Sequence, residues 1–254
     1  HGGGAVSPGG TRRTDGGPDR GFLWVGAILL ATGLVCAGSC AAYGASLACP
    51  PSPGPFGTSE LSPDGRYLVC LADAAVPGKY ELYAVDGIRD PWRLSPGMAD
   101  ERDVNFFAIA PDSQLVAFTS DRATWTKYDL YSVPIAGGTA KRLNGPLPVE
   151  HDVAEGFLWS AGRVVYRQGR NTTGLWELFS VPGSGGSAVR ISQPGAPGSG
   201  VQPGFTILDG ERVRYAYTDG GVEAAWYAVP ASGGRVMEEI MREDFERGTN
   251  GGFQ

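Results

Sequence analysis

Short phrases that alternate apolar and polar positions recur between residues 57 and 240. Four of them read Glu81-Leu82-Tyr83-Ala84-Val85, Asp129-Leu130-Tyr131-Ser132-Val133, Glu177-Leu178-Phe179-Ser180-Val181 and Ala225-Trp226-Tyr227-Ala228-Val229. Alternation at period two places successive side chains on opposite faces of a strand. The central aromatics Tyr83, Tyr131, Phe179 and Tyr227 stand 48 positions apart, three times in succession. A fixed period of this length is the signature of a stacked or radial repeat, whose units bury their apolar faces against one another.

Each unit opens on a turn: Ser62-Pro63-Asp64-Gly65, Ala110-Pro111-Asp112-Ser113, Trp159-Ser160-Ala161-Gly162 and Leu208-Asp209-Gly210. Pro presets the first turn dihedral, Asp bonds backbone two residues on, and Gly accepts a positive φ. A β-branched or aromatic strand follows each turn, as in Leu115-Val116-Ala117-Phe118, and a polar hairpin loop such as Ser120-Asp121-Arg122 comes next. The strand carrying the periodic aromatic is third. A Gly-rich turn such as Gly137-Gly138 then leads to a fourth, Lys141-Arg142-Leu143 or Val189-Arg190-Ile191. The expected fold is all-β, with four propeller-type, four-stranded blades of about 48 residues at 57–98, 99–146, 147–194 and 195–240. Residues 241–254 read as a tail or the start of a further blade. Met237–Arg247, with apolar residues at helical spacing, reads as a short amphipathic helix or as a connection.

These phrases resemble the WD-like repeats of TolB, of the tricorn protease and of prolyl-oligopeptidase propellers. The residues that carry the resemblance are Ser62-Pro63-Asp64-Gly65-Arg66-Tyr67-Leu68, then Ala110-Pro111-Asp112, Ala117 to Arg122, Asp129-Leu130-Tyr131, Gly137-Gly138 and Arg142-Leu143. The third unit lacks Pro-Asp in its turn and the fourth lacks the Pro. The resemblance implies six or more blades, so four units point to part of a larger ring, with a closed four-bladed ring as the alternative. It speaks to fold; its Asp and Gly residues build turns rather than a site.

The segment before the repeats has another character. Residues 1–20 are Gly-rich and polar, with Arg12, Arg13 and Arg20, and are expected to be disordered and cytoplasmic. From Gly21 to Ala48 run 28 residues without a charge, enough to cross a bilayer as one helix. Residues 21–49 therefore read as a transmembrane anchor or signal sequence, with a Pro/Gly linker at 50–56. Cys49, after Ser46-Leu47-Ala48, is a candidate for lipidation, as in a lipoprotein signal; an ordinary secretory signal is a third option. Arginines on one flank only place the repeats outside the cytoplasm, periplasmic or at the cell surface. Cys70 aligns with Phe118 and reads as a small buried hydrophobe, and a disulfide framework is not expected.

A net charge of −6 with no basic stripe argues against nucleic acid. Of two histidines, His1 is terminal and His151 lies in a connection; no nucleophile elbow, metal spacing or phosphate-cradling loop appears. Asp100, Glu101 and Asp103 could hold Ca²⁺ near a propeller mouth but read as solvated loop charges, and Asp121-Arg122 as a hairpin feature. Asn171-Thr172-Thr173 is a formal glycosylation sequon. No catalytic residue, cofactor site or metal site is nominated. The expectation is a membrane-anchored, non-catalytic scaffold that binds a protein or peptide at the central mouth or on blade-connecting loops. Two alternatives stand beside it: the propeller of a prolyl-oligopeptidase-like peptidase whose catalytic domain lies outside this chain, and the ectodomain of a membrane sensor.

Overall fold

Period-two alternation between glycine-bearing turns yields eighteen strands and no helix among the described residues. The computed structural model describes residues 47–240 apart from 53–56, 96, 98–101, 125–126, 149, 171–173, 195–197, 219–223 and 235–237. The apolar run at 21–46, the arginines before it, the sequon at Asn171, Asp100, Glu101 and residues 241–254 lie outside them. No helix among the described residues is long and apolar enough to cross a membrane.

The strands form four antiparallel sheets. The first holds β1 (Ser59–Leu61), β2 (Leu68–Ala72), β3 (Glu81–Val85) and β4 (Trp92–Arg93). The second holds β5 (Val104–Ile109), β6 (Leu115–Thr124), β7 (Lys127–Pro134) and β8 (Lys141–Arg142). The third holds β9 (Asp152–Val153), β10 (Leu158–Ser160), β11 (Arg163–Arg170), β12 (Leu175–Pro182) and β13 (Val189–Arg190). The fourth holds β14 (Gly200–Val201), β15 (Thr206–Leu208), β16 (Arg212–Thr218), β17 (Ala225–Pro230) and β18 (Glu238–Ile240).

The third and fourth sheets have five strands where four are expected, because their first strand is split. Both pieces pair with the same neighbour, β9 and β10 with β11, β14 and β15 with β16. Gly156 and Gly204, at φ 81° and 88°, sit in the gaps. A left-handed residue turns the chain out of the pleat, and glycine does so without steric cost. Phe106 occupies the corresponding register position in the second sheet, where β5 runs through with a shift of register between Val104 and Phe106. The expected loop at Ser120-Asp121-Arg122 is also corrected, since β6 extends to Thr124.

Loss of Pro-Asp from the third turn changes its type. Ala161 and Gly162 both take positive φ, 47° and 72°, in a two-residue connection closed by Ser160 and Arg163. Two left-handed central residues define the I′ hairpin turn, whose twist matches the strands it joins.

The sheets pack face to face in chain order through three hydrophobic clusters. The first sheet presents Val69, Leu82 and Ala84 to Phe107, Val116 and Tyr131 of the second. Ala117 and Leu130 then meet Val164 and Tyr166 of the third, and Val165 and Leu178 meet Val213 and Tyr215 of the fourth. Among the described residues no such cluster joins the first sheet to the fourth. The periodic aromatics lie on the face turned toward the preceding sheet. Tyr131, Phe179 and Tyr227 each stack on a cross-strand partner, Phe118, Tyr166 and Tyr215, with centroids 5.5, 5.8 and 5.6 Å apart. Leu82, Leu130 and Leu178 point the other way and are fully buried in the seams.

A second period accompanies the aromatics. Glu81, Asp129 and Glu177 precede them by two residues, and Arg93, Arg142 and Arg190 stand opposite them in register. Each pair forms an ion pair, at 2.9, 2.7 and 2.9 Å. In the fourth sheet Ala225 and Glu239 take these positions. One turn further on, Ser95, Asn144 and Ser192 accept the N–H groups of Leu82, Leu130 and Leu178. Indole donors cross the seams as well, Trp92 to the Ile135 carbonyl and Trp159 to that of Ala108, both at 3.1 Å.

The first sheet departs from the aromatic pair. Cys70 faces Tyr83 where the other sheets have Phe118, Tyr166 and Tyr215, and its sulfur is bonded to Cys49, with Cα atoms 5.9 Å apart. This corrects the reading of Cys70 as a free buried thiol and of the chain as free of disulfides. It also engages the Cys49 sulfur that lipidation requires. The signal was present: a thiol stands in an aromatic position, with a second cysteine 21 residues away at the edge of the repeats.

Three outcomes follow from this packing. Leu130→Ala costs about 2–5 kcal/mol, the scale of a fully buried leucine, in denaturant unfolding. Ala161→Gly relieves a left-handed alanine and stabilises by about 1 kcal/mol in the same assay. Peptide mapping without reductant recovers Cys49 and Cys70 in one linked species, and Cys70→Ser lowers stability by about 2–4 kcal/mol; free thiols at both positions contradict the bridge.

Candidate functional site

The first strands of successive sheets converge. Residues of β1, β5 and β10 surround one cavity of about 750 Å³, a volume in the range of small-molecule and peptide sites. Phe106, Phe107, Phe157 and Leu158 supply apolar walls, while Glu60, Asn105, Tyr80 and Tyr128 bring polar groups to the same space. Phe106 and Phe157 meet edge to face at 4.9 Å, which joins the second sheet to the third beneath the mouth.

Local bonding fixes the polar lining. Asp103, just before β5, accepts the Tyr80 N–H at 2.7 Å, and its own N–H donates to the Asp121 carboxylate at 2.8 Å. Arg102 lies 3.9 Å from the other Asp121 oxygen. Asp152, 49 residues beyond Asp103, accepts the Tyr128 N–H at 2.9 Å. Each carboxylate thus pins the start of a third strand to the first strand of the next sheet. Thr119 donates to the Asn105 oxygen at 2.5 Å, and the Asn105 amide donates to Glu155 at 3.0 Å.

The electrostatics of the mouth are acidic. Burial pushes the Tyr128 phenol up, and the carboxylates of Asp121, Asp103, Glu155 and Asp152 push it further in the same direction. Burial likewise pushes the Glu60 carboxyl up, against the lowering effect of an Ile109 backbone hydrogen bond. Glu60 is reached by solvent on one side and walled by protein on the other. Water on the open side screens its partial desolvation. An open, mostly apolar pocket of negative potential suits a ligand that joins an apolar body to a cationic group.

The residues singled out from sequence fall elsewhere or serve structure. His151 is half-buried in the connection before β9, its N–H on the Pro148 carbonyl, and does not line the mouth. Asp121 is buried and ties down Asp103, while Arg122 lies 5.3 Å over the Tyr131 ring; both belong to β6 rather than to a loop. Of the three acids considered for Ca²⁺, Asp103 is the one described, and it holds backbone. No group of three or more potential metal ligands gathers among the described residues. Reasoning from sequence missed Glu60, Asn105 and Tyr128. A signal existed: Tyr80, Tyr128 and Trp176 repeat at 48 residues, one position before the acidic series.

No protein-family model and no curated protein matches the chain. Solved structures do. Dipeptidyl peptidase 4 of Porphyromonas gingivalis aligns over 70% of this chain and 30% of its own, with TM-score 0.54 and 15% identity. A puromycin-hydrolyzing peptidase of Mycobacterium tuberculosis aligns over 74% of this chain and 29% of its own, with TM-score 0.51 and 18% identity. A structure described as TolB from Agrobacterium tumefaciens aligns over 75% and 63%, with TM-score 0.47 and 23% identity. The neighbours are thus of the TolB and peptidase-propeller kinds that the repeat motif resembles. What this chain shares with the two peptidases is the fold, and it spans less than a third of the length of either.

The Asp103 bond separates two substitutions. Asp103→Asn keeps an acceptor for the Tyr80 N–H and leaves the melting temperature close to wild type. Asp103→Ala orphans that N–H and costs about 1–3 kcal/mol in denaturant unfolding; equal losses from both would show that the carboxylate acts through its charge.

Proposed function

We propose that this chain is a membrane-anchored, extracytoplasmic propeller-type scaffold that binds a protein or peptide and performs no chemistry of its own. The observation that carries the reading is the acidic, aromatic-walled mouth where three first strands meet. The ligand it suits is an extended segment with a basic side chain or free amino group beside apolar residues. Apolar contact with Phe106, Phe107 and Phe157 supplies affinity, and the carboxylates supply orientation and encounter rate. The Cys49–Cys70 bridge favours an oxidising compartment, in line with the export segment at 21–48.

A second reading has support in the solved structures. The two peptidases align with this chain over less than a third of their own length. On that reading the mouth would admit peptides toward a hydrolase domain outside this sequence. The reading frame beyond Gln254 separates the two, through the presence or absence of a Gly-x-Ser-x-Gly nucleophile elbow.

Fluorescence anisotropy with eight-residue peptides tests the binding reading. Peptides containing one lysine flanked by leucine or phenylalanine bind, and their lysine-to-glutamate counterparts do not. Glu60→Gln weakens binding about threefold to fivefold at low salt, the scale of an exposed ion pair. Glu60 must be ionised to attract the cation, so wild-type affinity rises with pH through its raised pKa and this response is lost in Glu60→Gln. Equal binding of lysine and glutamate peptides would overturn the proposal.

A further inference from the structure

The three seams between sheets are not equally filled. Between the third and fourth sheets, Tyr217 fills the space beside the Tyr215–Tyr227 stack, edge-on to Tyr227 at 6.4 Å. Its hydroxyl reaches the Pro194 carbonyl at 3.2 Å and the Ser199 hydroxyl at 3.0 Å. Two residues beyond the stacked aromatic of the third sheet, the matching position is Gln168. A shorter side chain leaves room there, and the seam between the second and third sheets holds a cavity of about 420 Å³.

One wall of this cavity is chemically incomplete. Tyr166 is fully buried, and its hydroxyl has no hydrogen-bond partner among the described residues. The nearby carbonyl of Gly145, also on the cavity wall, already accepts from Arg142 and Asn144, each at 3.0 Å. The Arg142 guanidinium is in turn neutralised by Asp129 at 2.7 Å. Burial pushes the Tyr166 phenol far up, so the group is a protonated donor at any ordinary pH, and the charge of Arg142 offsets this only in part. A buried hydroxyl without a partner is destabilising, and an arriving acceptor recovers that loss. Phe179 offers an apolar wall, and Gln168 a second polar group able to donate and accept.

We propose that the cavity between the second and third sheets is a binding pocket for a small neutral carboxamide, whose carbonyl accepts from the Tyr166 hydroxyl and whose apolar body lies against Phe179. A carboxylate is disfavoured because the Asp129–Arg142 pair leaves no uncompensated positive charge to receive it. The site is separate from the mouth and does not depend on the peptide-binding reading.

Titration of the ¹⁵N-labelled chain, followed by amide shifts of β8, β11 and β12, tests this with benzamide, benzoate and toluene as probes. Benzamide binds at the seam, and benzoate binds at least tenfold more weakly. Tyr166→Phe lowers benzamide affinity about tenfold while the free protein stays as stable as wild type or becomes more so, because the orphan hydroxyl is gone. Gln168→Tyr fills the space as Tyr217 does in the next seam, and abolishes binding in a folded protein. Three results each overturn the proposal: benzoate binding as tightly as benzamide, Tyr166→Phe binding benzamide like wild type, or no probe shifting the seam amides, which leaves the cavity to water alone.

Discussion

The cross-strand aromatic pair at each seam is the contact on which the remaining architecture depends. Phe118 with Tyr131, Tyr166 with Phe179 and Tyr215 with Tyr227 stack between the second and third strands of their sheets. Each pair presents a broad apolar face to the leucine and valine of the sheet before it. Such pairs are worth about 0.5–1.5 kcal/mol beyond their buried area. Their larger effect is on register. A one-residue slip would turn every aromatic out of the seam and every seam leucine into its place. The acid–arginine pairs at Glu81–Arg93, Asp129–Arg142 and Glu177–Arg190 hold the fourth strand to the same register.

Where the aromatic pair is absent, the chain substitutes another device. The first sheet has Cys70 opposite Tyr83 and uses a covalent link to Cys49 in place of a ring. That link fastens the segment before β1 to the centre of the sheet. The third sheet keeps the ring but shortens its neighbour to Gln168, and the outcome is a cavity with an unserved hydroxyl. Variation within the repeat is thus concentrated at a few positions around one stacked pair. Irregular first strands do comparable work at the mouth, where Asp103 and Asp152 link one sheet to the next while aromatic and polar groups stay available.

Much of the fold was legible because a 48-residue period imposes the same strand and turn choices four times over. The third-strand aromatics, the Gly-rich turn before the fourth strand and the identity of Cys70 with the Phe118 position all follow from counting. The split first strands did not, because they turn on single glycines, Gly156 and Gly204, whose φ values depend on the connection between sheets. The disulfide was hidden because Cys49 reads as the end of an export segment. The mouth was less legible still. Glu60, Asn105 and Leu158 belong to three different sheets, and nothing local in the chain says that their strands meet. The second period of Tyr80, Tyr128 and Trp176 marks the place without stating its chemistry.

Hydrogen–deuterium exchange tests most directly whether the meeting of first strands is the working surface. The chain is measured alone and with a saturating eight-residue peptide containing lysine flanked by apolar residues. The account predicts slowed exchange confined to residues 57–60, 103–108 and 157–158, with the seam strands unchanged. Protection elsewhere on the sheets, with the first strands exchanging as before, would contradict it.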